Sequence, residues 1–168
     1  MKLSVCCGSL YQKQRHEGSE DKGAACVKLG ANRYINYKTQ HLDAELGPDS
    51  EDVVLDMIGA EYFHKNIDLL KPDGRLVYIN AMKGSQVDLN FWKVMQKRIN
   101  ITGSKLRVRD SGFKIALAQE IERFVWPVIE AGTFKPMVYK TFPFAEAAAA
   151  HELMESSMHI GKIILINE

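Results

Sequence analysis

Residues 52–59 read D-V-V-L-D-M-I-G, and residues 69–77 read L-L-K-P-D-G-R-L-V. The first run is short, rich in β-branched residues and apolar on both faces, and Gly59 ends it. A strand apolar on both faces belongs to a parallel sheet covered on both sides, because a strand with one wet face alternates instead. In the second run Lys71-Pro72-Asp73-Gly74 predicts a turn that closes a helix and leads into a strand over Leu76–Asn80. Between the two, Tyr62–Leu70 carries apolar residues at 62, 63, 67 and 70, the spacing of one helix face. Strand, helix and strand in that order make a βαβ unit.

The pattern continues in both directions. Upstream, Asp21–Leu29 reads as a helix capped by Ser19 and stopped by Gly30, and Arg33–Tyr37 as a short strand. Lys38–Ser50 is polar loop with at most a helical turn. Ser4–Cys7 offers an edge strand, and Gln12–Lys22 is the longest polar stretch. Downstream come a helix over Leu89–Gln96 and a strand over Ile99–Gly103. Ser111–Ala131 is the longest amphipathic segment, with Gly132 as its cap and a kink at Pro127. A strand over Met137–Thr141, an alanine-rich helix over Phe144–Ser156 and a closing strand over Lys162–Ile166 follow. The fold class is α/β: a doubly wound, mostly parallel sheet.

Bulk properties exclude several functions. A formal net charge of +1 gives no polyanion-binding field, so nucleic acid is not an expected partner. The longest apolar runs, Gly161–Ile166 and Ala147–Ala150, are far too short to span a bilayer, and Leu3–Cys7 is too brief for a signal peptide. Three cysteines, Cys6, Cys7 and Cys26, are not a disulfide framework and point to a reducing cytoplasm. No metal site is expected. The nearest approach to a zinc helix, His151-Glu152-Leu153-Met154-Glu155, has Glu where the second His should stand.

Ligands of parallel sheets sit at the carboxyl ends of the strands. Here those positions are Gly18–Lys22, Asn36–Lys38, Ile58–Ala60, Asn80–Gly84 and Gly103–Arg109. Their residues, in order, resemble those of a known family. Gly18-Ser19 with Lys22, A-A-C-x-x-L-G-A at 24–31, Ile35-Asn36-Tyr37, the two runs quoted above, I-T-G-S-K-L-R-V-R at 101–109 and H-I-G-K-I-I-L at 159–165 resemble the zinc-free, zeta-crystallin-like quinone oxidoreductases of the medium-chain dehydrogenase superfamily. The resemblance covers residues 17–168, the C-terminal half of such an enzyme.

That resemblance implies a Rossmann-type sheet, incomplete at its N-terminal side, with a short C-terminal appendage. It divides the chain into an atypical start at 1–16, a partial dinucleotide-binding domain at 17–136 and a segment at 137–168 that in the family returns to the substrate-side domain. It implies NADPH as cofactor and a quinone or similar electron acceptor as substrate. Gly18, Ser19, Lys22 and Tyr37 fall where the family surrounds the adenosine 2′-phosphate. A hydroxyl, an ammonium and a phenol suit a dianion. Ile58, Gly59, Asn80, Ala81 and Met82 fall beside the nicotinamide ribose and ring, and Leu106, Arg107 and Val108 on a flanking loop. No residue is assigned a catalytic role, because the hydride passes directly from the cofactor. A homodimer through paired edge strands is also implied, together with some cover for Phe142, Phe144 and Ile163–Ile166.

One departure stands out. The glycine-rich turn that opens the family's first cofactor helix is absent, which predicts a chain that is weak or inactive alone. Two other readings remain open at this point. D-V-V-L-D followed by L-L-K-P-D-G-R-L-V also occurs in S-adenosylmethionine methyltransferases, and a cofactor domain without its phosphate loop could be a non-enzymatic remnant or interaction domain.

Overall fold

The computed structural model describes residues 5–7 and 13–167 and divides into two compact units, one ending at Lys105 and the other beginning at Leu106. The first unit is built on a six-stranded sheet. Its strands are β1 (Val5–Cys7), β2 (Lys13–Glu17), β3 (Arg33–Asn36), β4 (Glu51–Asp56), β5 (Leu70–Tyr78) and β6 (Asn100–Gly103), in the order β3-β2-β1-β4-β5-β6. That is the strand order of a dinucleotide-binding sheet. The pairs β2–β3, β4–β5 and β5–β6 are parallel, and for β4, β5 and β6 that pairing is what the sequence predicts.

The middle of the sheet differs from expectation. β1 runs antiparallel to both β2 and β4, and it is central, not an edge strand. Without it, two ladders of backbone N–H and C=O groups would lie open in the centre of the sheet. β2 lies inside the stretch read only as polar, and backbone pairing on both sides holds it there. The glycine-rich turn of a parallel βαβ start needs a crossover of a dozen or more residues. Here the reversed β1 reaches β2 through residues 8–12 alone.

Helices fill the connections. α1 (Glu20–Lys28) starts where predicted: the Ser19 hydroxyl accepts a hydrogen bond from Lys22 N at 3.3 Å. The polar loop holds one short helix, α2 (Leu42–Leu46). α3 (Phe63–Leu69) follows a 3-10 turn over Ala60–Tyr62. α4 (Phe91–Lys97) begins at Asn90, whose side chain accepts from the amides of Trp92 and Lys93. The predicted turn at Lys71–Gly74 lies within β5, because Leu70 already pairs with Glu51. The ladder shifts register there, Asp73 takes a left-handed φ of 65°, and Arg98 grips its carboxylate through Nε and Nη2 at 2.7 and 2.6 Å.

The core of this unit is the cluster Val54, Phe63, Ile67, Leu70, Leu76 and Ile99, with a second cluster of Ile35, Leu42 and Leu69. Both draw on α3 and the parallel strands, so burying them fixes the strand ends and the loops that leave them.

The second unit holds α5 (Ser111–Phe124), α6 (Trp126–Glu130), β7 (Val138–Pro143), α7 (Ala147–Glu155) and β8 (Lys162–Ile166), with β7 and β8 parallel. The single predicted helix breaks at Val125, two residues before Pro127. A proline is tolerated in the first turn of a helix, where its missing N–H has no partner to lose, and α6 places it there. Phe142 is buried, while Phe144, Ile164, Leu165 and Ile166 are exposed, so the cover expected for this face is only partly present. No described helix is long and apolar enough to cross a membrane.

Candidate functional site

Strands β2, β3, β4 and β5 are aligned, so Glu17, Asn36, Asp56 and Tyr78 end them at one edge of the first sheet. Two groups of predicted residues gather there.

The first group follows β2 and β3. Gly18 lies against Tyr37, and a methyl group at Gly18 would overlap the Tyr37 hydroxyl. Ser19 and Lys22 stand at the start of α1, joined by the capping bond. Beside them is a carboxylate that sequence reading noted only as a neighbour. Glu20 accepts from the Tyr34 hydroxyl and from Asn36 Nδ2 at 2.8 Å. The Tyr34 bond, and then the Asn36 bond, hold its carboxyl below the usual range. Asn36 is buried and organises this corner, accepting from Lys38 N at 3.1 Å and donating its own amide to Gln40 at 2.8 Å. The signal for Asn36 was visible: an asparagine that ends a strand and turns the next residues through its side chain.

The second group joins the loops after β4 and β5. Ile79 N donates to Asp56 O at 2.8 Å, Met82 N to Met57 O at 3.2 Å, Lys83 N to Ile58 O at 2.7 Å, and Ala60 N to Gly84 O at 2.9 Å. These four bonds bring Ile58, Gly59, Ala81 and Met82 together. Asn80 stands in the same loop, its Oδ1 accepting from Ala81 N at 2.8 Å. Gly59 has φ 93° and ψ −134°, and a methyl there would overlap Gly84 O and crowd Ala81. Only glycine permits both the backbone conformation and the close approach of the two loops. Ile58 is buried, while Asn80, Ala81 and Met82 are exposed, so this edge presents small groups and backbone above an apolar floor.

Beneath Gly59 is a buried carboxylate that sequence reading did not single out. Asp56 Oδ1 accepts from the amides of Ile58 and Gly59, and Oδ2 accepts from Asn66 Nδ2 at 2.6 Å. Asp56 and Asn66 are each only 1% exposed. Burial pushes the Asp56 carboxyl up, against the opposing pull of those three bonds. Tyr78 pairs in register with Asp56, and its buried hydroxyl has no hydrogen-bond partner among the described residues. Burial first, and then the Asp56 charge, push that phenol up to about 12. Asn66 pulls it slightly the other way, although no bond of good geometry joins them and Asn66 Nδ2 is committed to Asp56.

The direction at Asp56 gives a pH prediction. A carboxyl raised in the folded state binds its proton there more readily than in the unfolded chain. Its contribution to stability is therefore complete below the ordinary value of 3.8 and is lost as pH rises through the folded value. The lowered carboxyls of Glu20, Asp43, Asp73 and Asp110 act in the opposite sense. Urea melts of the wild-type chain and of Asp56→Asn between pH 7 and pH 4 should separate the two effects. Wild type should gain stability relative to the variant as pH falls. A constant difference would remove Asp56 as the titrating group.

Leu106, Arg107 and Val108 form a 3-10 turn in the second unit. The Arg107 carbonyl accepts from Lys114 Nζ at 3.3 Å, and Arg109 lies over the Phe113 ring at 4.7 Å. A cavity of about 430 Å³, lined by Asp43, Asp49, Lys65, Asp68 and Lys97 among others, belongs to the opposite edge of the first sheet, beside the starts of β4 and β5. Lys97 closes the end of α3 there, donating to the carbonyls of Ile67, Asp68 and Leu70 and pairing with Asp49 at 2.9 Å. Among the described residues, no group of three or more His, Cys, Asp or Glu is placed to hold a metal ion.

The strand order is that of a dinucleotide-binding sheet, and comparison with known proteins agrees with it. Residues 29–165 match the family model described as zinc-binding dehydrogenase, and the chain belongs to that family. Within it, the chain is like the quinone oxidoreductases of the medium-chain dehydrogenase superfamily, over their C-terminal half. It is 31% identical over 157 residues to the 2-haloacrylate reductase of a Burkholderia species, covering 88% of this chain and 46% of that protein. It is 27% identical to the rat quinone oxidoreductase, with 89% and 45% covered. Among solved structures it resembles the quinone oxidoreductase of Thermus thermophilus, described also in its complex with NADPH, at 28% identity and a TM-score of 0.72, covering 90% of this chain and 48% of that one. The chain thus spans a little under half the length of these relatives. None of these relatives is a methyltransferase, and nothing supports that alternative.

Proposed function

We propose that this chain is the nicotinamide-dinucleotide part of an NADPH-dependent reductase of quinone-like acceptors, which works in the cytoplasm as a homodimer. The observation that carries the reading is the pair of loops, Met57–Ala60 and Ile79–Gly84, zipped together at the carboxyl edge of a 3-2-1-4-5-6 sheet. A flat ring needs small groups and bare backbone for close approach, and Gly59 and Ala81 supply them. Gly18, Ser19, Lys22 and Tyr37 suit the adenosine 2′-phosphate: a phenol packed on glycine, a hydroxyl and an ammonium at the start of a helix. Glu20 stands close by, but two donors share its charge. When bound, NADPH supplies the hydride. This chain's residues hold the two ends of the cofactor and keep water from one face of the ring.

Lys22→Ala tests the choice of cofactor. The variant should lose any preference for NADPH over NADH in side-by-side titrations while keeping its NADH affinity. An unchanged preference would take Lys22 out of the site. A second reading, a non-enzymatic domain, draws on the reversed β1: among the described residues no glycine-rich helix start is placed to face a pyrophosphate. Quinone-dependent NADPH oxidation by the chain separates the two.

A further inference from the structure

We propose that Asp56 is a positioning residue: its carboxylate, anchored to α3 through Asn66, fixes the Ile58–Gly59 backbone in the shape that receives the nicotinamide end of the dinucleotide. The inference rests on the function proposed above, and it adds a residue that touches no ligand.

Four observations carry it. The two amides that Asp56 accepts, Ile58 N and Gly59 N, belong to the loop that approaches Gly84 and Ala81. The same loop uses its carbonyls, Met57 O and Ile58 O, to hold Met82 and Lys83. The amides of Ile58 and Gly59 turn inward to Asp56, and the carbonyls of Met57 and Ile58 turn sideways to the neighbouring loop, so each end of this backbone is held. The third observation is burial. Asp56 and Asn66 are almost completely enclosed, and an amide deprived of its carboxylate there would have no water to replace it. The fourth is the backbone of Gly59, whose left-handed φ of 93° is held in place only if the groups around it are held too. An uncharged amide at 56 offers one acceptor oxygen in place of two charged ones, so the two backbone amides are held by weaker hydrogen bonds even if Asn66 turns to accept from it.

Two other charged or titratable groups face this carboxylate. Tyr78 adjoins it from β5, and Tyr62 senses its charge from the turn before α3. Both phenols are pushed up, first by burial, so they stay neutral beside the carboxylate.

The test uses the full chain at neutral pH, as wild type, Asp56→Asn and Asn66→Ala. Each is titrated with NADPH and with adenosine 2′,5′-bisphosphate, which carries the adenosine end alone, and binding is followed by amide chemical shifts so that millimolar affinities are measurable. Hydrogen exchange of the Ile58 and Gly59 amides is recorded in parallel. Asp56→Asn should weaken NADPH about tenfold and leave the bisphosphate unchanged, the loss of one charge-assisted hydrogen bond or more. Asn66→Ala, which keeps the carboxylate and its two amide bonds, should show a smaller loss of the same kind. Both variants should speed exchange at 58 and 59. Equal losses for the two ligands would mean a general folding role and overturn the assignment, as would amides still protected in Asp56→Asn. A wild-type chain that binds neither ligand would overturn the functional reading, and the assignment with it.

Discussion

Replacing Gly59 with alanine should destabilise the first unit by about 2–3 kcal/mol and loosen the candidate site with it. Two costs add. The backbone at φ 93°, ψ −134° is one that L residues rarely adopt, and the new methyl overlaps Gly84 O and crowds Ala81. Gly30 provides the control, because it has a φ of 95° but open space around its Cα. Gly30→Ala should show backbone strain alone. Urea midpoints for the two variants therefore separate strain from overlap, with Gly59→Ala the more costly. Equal costs would mean that the two loops part freely, and the four bonds that join them would not define a site.

The second large effect concerns affinity. A pyrophosphate is normally held by backbone N–H groups at a glycine-rich helix start. In this chain β1 is reversed and no such start lies among the described residues. Losing two or three charge-assisted hydrogen bonds, each worth roughly 1.5–3 kcal/mol, should weaken NADPH by about a thousandfold or more relative to a complete site. Titration should accordingly give a dissociation constant near the millimolar range, and NADPH oxidation with a benzoquinone should be slow or absent. Micromolar binding would mean that residues 1–16 rebuild the phosphate site in another way.

Much of the fold was legible because local chemistry and burial agreed. Ser19 caps α1, Gly59 ends the β4 loop, and Lys162–Ile166 is a strand because its β-branched residues permit little else. The sequence misled where pairing overrode composition. Lys13–Glu17 is polar, yet it is β2, and the reversed β1 fills the centre of the sheet with no periodicity to announce it. The Lys71–Gly74 turn is irregular, as its residues predict, but lies inside β5, since Leu70 has already joined the ladder. In the site, the glycines and small residues at strand ends were readable. The buried partners were not: Asp56 and Asn66 are ten positions apart and meet only when α3 packs back on β4. Asn36 and Glu20 are sixteen apart and meet across a crossover. A single sequence does not display such pairings.

The most direct test of the account is a map of the NADPH site on the labelled chain. Amide shifts recorded at rising NADPH should move together at Gly18, Ser19 and Tyr37 and, separately along the same edge, at Ile58, Gly59, Ala81 and Met82. The cavity lined by Asp49, Asp68 and Lys97 on the opposite edge should stay still. Shifts confined to that opposite edge, or no shifts at either loop while the chain remains folded, would contradict the proposal that the carboxyl edge of this sheet receives a nicotinamide dinucleotide.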